Sequence, residues 1–156
     1  IGGQFNGHPW GGGGTWSFKL DDPKHILNQA FKGRGFWHKD EIYQYKPETY
    51  VGGDKLRVLV SLDLNTEQTM KPLNRNEGLK KQYTEGGRTV PVSWIRTFEG
   101  GRVFYTNLGH NASTYWNPAV LQHYLDGLQY ALGDLKADAT PSSKITREEV
   151  LAPPAP

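Results

Sequence analysis

Residues 55–64 read KLRVLVSLDL, and Leu56, Val58, Leu59, Val60 and Leu62 leave almost no polar position in the middle of that run. A strand whose side chains alternate between two faces stays apolar throughout only when both faces are buried. This predicts a central strand with a covering layer on each side, the arrangement of an α/β domain. The rest of the chain offers one clear helix to do the covering. Asn117 and Pro118 supply an N-cap and a first helical residue, and Gly133 a stop, so a helix is expected over about 117–132. Leu121, Leu125, Leu128 and Leu132, widened by Val120 and Tyr124, form its apolar stripe. One helix cannot cover two faces. The missing helices are therefore expected upstream of Ile1, and the chain reads as part of an α/β domain.

The other elements are strand-like. TWSFKL (15–20) alternates with Trp16, Phe18 and Leu20 on one face, and DEIYQYK (40–46) alternates around Ile42, Tyr43 and Tyr45. PVSWIRTF and GRVFYTNL flank the turn Glu99-Gly100-Gly101 and predict an antiparallel hairpin over about 92–108. DDPKHILNQAF reads as a turn followed by a short helix or irregular segment. Residues 65–90 are charged and aperiodic and read as a long excursion from the sheet. Beyond Lys136 the chain turns small, polar and proline-rich, ending LAPPAP. The expected division is a domain over 1–135 and a Pro/Ala-rich tail or linker over 136–156.

Composition excludes several classes of function. There is no cysteine, hence no disulfide framework, thiolate metal site or cysteine nucleophile. The formal net charge of +2 is too small for a nucleic-acid footprint. FKGRGFWHK (31–39) carries the densest mixture of bases and rings, but an acidic pair follows it at once. No apolar run approaches the ~20 residues that cross a bilayer. The chain opens at Ile1 rather than Met, so a processed or partial chain is expected, from cytoplasm or from periplasm or secretion.

Three stretches hold chemistry-bearing groups: GQFNGHPWGGGG with His8 and Trp10, WHKDEIYQY with Asp40, Glu41 and Tyr43, and LGHN with His110 and Asn111. Two histidines and a carboxylate from separate loops suit a divalent metal such as zinc, or a general acid and base for a sugar hydroxyl. Each group also has a plainer reading. His8 is equally at home as a turn residue, and Asp40-Glu41 as a solvated pair for Lys39 and Lys46. His25, His38 and His123 read as structural or surface residues. Trp10, Trp16, Trp37 and Trp116 read as packing before sugar stacking. His110 stands out because it follows an apolar strand, where open α/β sheets expose ligand-binding groups.

IGGQFNGHPW, DEIYQY and PVSWIRTFEGGRVFYTNLGHNASTYWNPAVLQHYLDGLQYALG, in that order and spacing, resemble the later portion of the bacterial ThuA-like, or trehalose-utilisation, family over roughly residues 1–135. The resemblance implies a flavodoxin-like, class I glutamine amidotransferase-like sandwich whose opening strands and helices would precede Ile1. It does not imply amidotransferase activity, because GHNAS lacks the glutamate that follows the histidine in those enzymes. It implies use of trehalose-related disaccharides or 3-keto sugars, with a metal ion in some members. Carried over, His110 and Glu41 are the expected catalytic groups. His8, Trp10, Asp40, Tyr43 and Asn111 are expected to contact substrate, and His8 and His110 to be metal ligands. The alternative is a non-catalytic carbohydrate-binding or interaction module. Association with a missing half-domain, another chain or an oligomer partner is expected, to cover a bare sheet edge.

Overall fold

A computed structural model describes residues 1–85 and 89–156. The run that dominates the sequence forms β3 (Arg57–Leu62), buried at every position. It lies at the centre of a five-stranded sheet with β1 (Thr15–Leu20), β2 (Phe36–Lys39), β4 (Pro91–Phe98) and β5 (Gly101–Thr106), in the order β2-β1-β3-β4-β5. Every pairing in it is antiparallel. The α/β class holds and the expected hairpin is β4–β5. The parallel strands of a flavodoxin-like sandwich are not among the described residues.

Both faces of β3 are covered, by means the sequence pattern did not reveal. On one face lie the 3-10 turn Ile26–Phe31 and helix α3 (Pro118–Leu132). There Phe31, Phe36 and Phe18 stack in series, with centroids 4.5 and 5.0 Å apart. The other face is closed from within the aperiodic excursion, which folds as α1 (Glu67–Asn74) and α2 (Glu77–Thr84). These helices are too short to show a stripe, burying only Thr69 and Leu73 in α1 and Tyr83 in α2. Thr69 Oγ1 accepts from Ser17 N of β1 at 2.9 Å. Farther along that face Tyr45, Tyr50, Trp94 and Tyr105 pack ring against ring beside Leu56 and Val58. A β-bulge between Val58 and Val60 lets β3 feed both clusters.

DEIYQYK is not a strand. It zips loosely onto the N-terminal loop through two isolated bridges, Trp10 with Ile42 and Phe5 with Tyr45. Ile42 N donates to Trp10 O at 2.8 Å and Gln44 N to Gly7 O at 2.9 Å. Pro9, which has no N–H, and Gly7, at φ +102°, interrupt a regular ladder.

Helix α3 has the predicted caps: Asn117 Oδ1 accepts from Ala119 N and Val120 N, and Gly133 ends it at φ +98°. Its face is the reverse of the one expected. Val120, His123, Gly127 and Tyr130 are buried, while Leu121, Leu125, Leu128 and Leu132 are 42–75% exposed. Gly127 sets this orientation, since a Cβ there would stand 2.3 Å from the Phe104 ring of β5. Only glycine lets the helix approach so closely.

The stretch expected as a tail or linker lies along the domain. Val150 forms a bridge with Leu20, Ser142 Oγ accepts from Val58 N, and Trp37 Nε1 donates to Pro153 O. Its proline-rich composition removes periodicity but leaves these backbone groups free to bond. The buried Arg57 belongs to the same seam, donating to Asp22 Oδ2 from Nη2 at 2.6 Å and from Nε at 3.0 Å. Its Nη1 reaches Asp138 Oδ2 and Thr140 O.

His123 is wholly buried, with Nδ1 donating to Leu27 O and Nε2 facing Ser93 Oγ at 2.8 Å. Burial pulls its pKa from 6.5 down to about 4. The folded protein thus keeps it neutral where the unfolded chain already binds a proton. Its stabilisation is complete above pH 6.5 and lost as pH falls toward 4, a change of about 3 kcal/mol. Burial lowers His25 and His38 as well, so they act in the same direction. Melting followed from pH 7 to pH 4 is expected to show this loss, with a shallower slope in a His123→Gln variant.

Candidate functional site

Three loops meet at one corner of the sheet. The zipped pairing of 4–10 with 42–46 sets His8 beside Glu41, the second residue after β2. The loop after β5 brings His110 to the other side of the same carboxylate. His8 Nδ1 stands 3.4 Å from Glu41 Oε2 and His110 Nδ1 3.6 Å from Glu41 Oε1. Glu41 is mostly shielded, at 14% side-chain exposure, while the imidazoles are about half exposed at 56% and 49%. One carboxylate therefore faces the Nδ1 atoms of two accessible rings. These separations are ion-pair distances, longer than a hydrogen bond.

Asp40 builds this corner. It is fully buried, and both oxygens are occupied: Oδ1 accepts from Glu41 N and Asn111 N, Oδ2 from Gly109 N and Thr114 Oγ1. The Thr114 hydroxyl, donating to Asp40, is positioned to accept in turn from His38 Nε2 at 2.9 Å. Trp16 Nε1 donates to the Asp40 carbonyl. A residue expected beside the ligand is thus an internal clamp on the strand-end loop. Asn111 has a similar part, its Nδ2 donating to Gly12 O and Lys39 O and tying the glycine loop to the end of β2.

Two glycines are needed for the geometry. Gly109 adopts φ +125°, and a Cβ there would meet the Tyr115 and Tyr124 hydroxyls at 2.7 and 2.8 Å. A Cβ on Gly12 would come within 2.9 Å of the His110 ring, so the glycine loop forms one wall of the imidazole's slot.

Trp10, expected at the ligand, is in the core with no exposed surface, its Nε1 bonded to Thr69 O. The ring that does sit at the surface is Phe5, which sequence reasoning passed over. It is half exposed, stacked 6.3 Å from His8 and edge-on to Tyr43 at 5.1 Å. A lone phenylalanine between Gln4 and Asn6, outside any alternating run, was the available cue. Burial, and then the charges of Glu41 and Asp40, push the Tyr43 phenol above its ordinary value, so it stays a hydrogen-bond donor at neutral pH. A concavity of about 630 Å³ between the glycine loop and α1–α2 reaches Pro9, next to His8, and carries Lys71 and Arg75 on its wall.

Two imidazoles and a carboxylate are a donor set that zinc accepts. Here the carboxylate stands between the rings, each Nδ1 facing a different oxygen of it. Among the described residues no group of three or more His, Asp or Glu is placed to hold a metal ion. The three groups form a His–carboxylate–His triad.

The sequence model of the ThuA family, described as trehalose utilisation, matches residues 1–131, which include all three loops of this corner. The chain belongs to the ThuA family. No curated protein and no solved structure gives a significant match. Membership connects this ThuA chain with trehalose utilisation, and the match contains both histidines and the carboxylate between them. No helix among the described residues is long and apolar enough to cross a membrane.

Proposed function

We propose that this chain is a carbohydrate-active enzyme that works by acid–base chemistry on a trehalose-type disaccharide or its 3-keto derivative. The observation that carries this reading is the single shielded carboxylate facing two half-exposed imidazoles. Glu41 orients both rings through Nδ1, much as a buried carboxylate orients a catalytic histidine in hydrolases. A neutral ring then offers Nε2 as base, taking a proton from a sugar hydroxyl or from a carbon made acidic by an adjacent keto group. A protonated ring offers Nε2–H as acid to the oxygen that gains charge or departs. Tyr43 adds a donor, and Phe5 an apolar face for the sugar ring. The ion-pair distances shorten to hydrogen bonds when substrate closes the site, as apo catalytic contacts commonly do.

No step here passes through a metal.

Phe5 and Tyr43 favour a second reading, in which the corner binds sugar without turnover. Assay of trehalose and its 3-keto form with wild type and His110→Ala separates the two. The enzyme reading expects wild-type turnover and a loss of about 10²-fold or more in the variant, with unchanged circular dichroism. Saturable sugar binding with no turnover, undiminished in the variant, would establish the binding module instead.

A further inference from the structure

A cavity of about 330 Å³ lies between β3, helix α2 and the segments 45–53 and 142–147, within the range that small ligands occupy. None of His8, Glu41 and His110 lines it. Tyr45, Tyr50, Val58 and Pro91 give it apolar walls, and Asp21 and Arg147 add charge. Asp21 follows β1 and is 3% exposed. Its Oδ1 faces Lys19 Nζ at 3.8 Å, while Oδ2 has no hydrogen-bond partner among the described residues. The Ser61 hydroxyl, also buried, favours the charged carboxylate but makes no hydrogen bond of normal geometry with it. A buried oxygen left in this way costs stability until something donates to it. Arg147 is fixed on the same wall, with Nε donating to Asp21 O and Nη1 to Ser142 O, each at 2.7 Å. Burial, and then the Asp21 charge, push the Tyr50 phenol above its ordinary value, so it stays a donor at neutral pH.

We infer that this cavity is a second binding site, for a neutral polyhydroxyl ligand the size of one sugar ring. Charge decides the neutrality. Among the described residues Asp21 and Arg147 are the only charged members of the lining, and they cancel. Lys19, which faces Asp21, is in turn paired with Glu149. A cation would therefore meet the guanidinium, and an anion the carboxylate. The polar groups decide the hydroxyls. The wall offers an acceptor in Asp21, a donor in Arg147, and groups that do both in Tyr50 and Gln82. A hydroxyl also does both, so a ring with hydroxyls around its edge can match each of them. Bonds to the two charged groups are the stronger ones and set the affinity. The rings of Tyr45 and Tyr50, with centroids 6.0 Å apart, supply flat apolar surface for the C–H face of the ligand. The volume is at the lower end of the ligand range, which suits one ring rather than a disaccharide. The site shares no group with the His8–Glu41–His110 triad and stands whatever chemistry that corner performs.

Nuclear magnetic resonance titration of the full, isotope-labelled chain with glucose, galactose and mannose tests this. At least one hexose is expected to bind saturably, shifting the Gly52 and Gly53 amides of the cavity wall while those of Gly109 and His110 stay in place. Asp21→Asn should weaken that binding about ten-fold or more. Tyr50→Phe, which keeps the ring and its packing, should weaken it several-fold and remains decisive if Asp21→Asn does not fold. His110→Ala should leave it unchanged, so a failed corner and a failed cavity give different results. No saturable binding of any of the sugars, shifts confined to the corner, or binding indifferent to Asp21→Asn and Tyr50→Phe would each overturn the inference.

Discussion

Asp40→Ala lowers stability by about 3 kcal/mol and, with folding enforced by excess stabilising osmolyte, leaves turnover reduced by ~10²-fold or more. The expectation follows from what the carboxylate holds. Its two oxygens accept from three backbone N–H groups and one hydroxyl. Removing them leaves shielded donors without partners, each costing about 1–3 kcal/mol where water cannot reach. Two of those N–H groups, on Gly109 and Asn111, flank His110, and the third belongs to Glu41 itself. Losing the clamp therefore moves two of the three site residues at once. Asp40→Asn is expected to be nearly as harmful, because an amide nitrogen would face an N–H donor whichever way it turned. Urea unfolding of both variants, together with their turnover, checks the point. A variant as stable as wild type would mean that the loop is held by something else.

Arg57→Met is expected to cost about 3–5 kcal/mol, because Asp22 then stays buried with its guanidinium partner gone. The pair is nearly shielded on both sides, and Arg57 joins β3, the end of β1 and the 138–140 segment through one side chain. Its contact with the exposed Asp138 carboxylate contributes little, since solvent screens that half. An Arg57→Met/Asp22→Leu variant should recover much of the loss by leaving no charge behind. Thermal melts of the two variants decide it: a double variant no better than the single would show that packing by the arginine stem, not the ion pair, sets the cost.

The fold was legible where burial imposes a pattern. Val58 to Leu62 announced the central strand, β4–β5 a hairpin, and Asn117-Pro118 with Gly133 the limits of α3. It was not legible where coverage comes from short or irregular pieces. Thr69, Leu73 and Tyr83 are too few to print a helical period, so α1 and α2 read as loop. Tyr45 and Tyr50 cover a sheet face from a segment without regular hydrogen bonding. The leucine row was read onto the core because nothing in a single sequence says which of two apolar faces meets the sheet. That decision belongs to Gly127 and the Phe104 ring beneath it. At the site, His8, Glu41 and His110 were each singled out, and the structure brings the three together. Asp40 and Trp10 share their sequence neighbourhood, yet one is an internal clamp and the other a core residue. Residue type marks the polar corner, but only packing shows which members of it face outward.

A double-mutant cycle in kcat/KM, on trehalose and its 3-keto form, tests the central claim most directly. Glu41→Gln and His110→Ala are each expected to lose about 10²–10⁴-fold. If the carboxylate acts by holding the imidazole, the double variant falls within a few-fold of the weaker single. Losses that multiply in the double variant, or singles that retain wild-type turnover, would contradict a catalytic corner organised around Glu41.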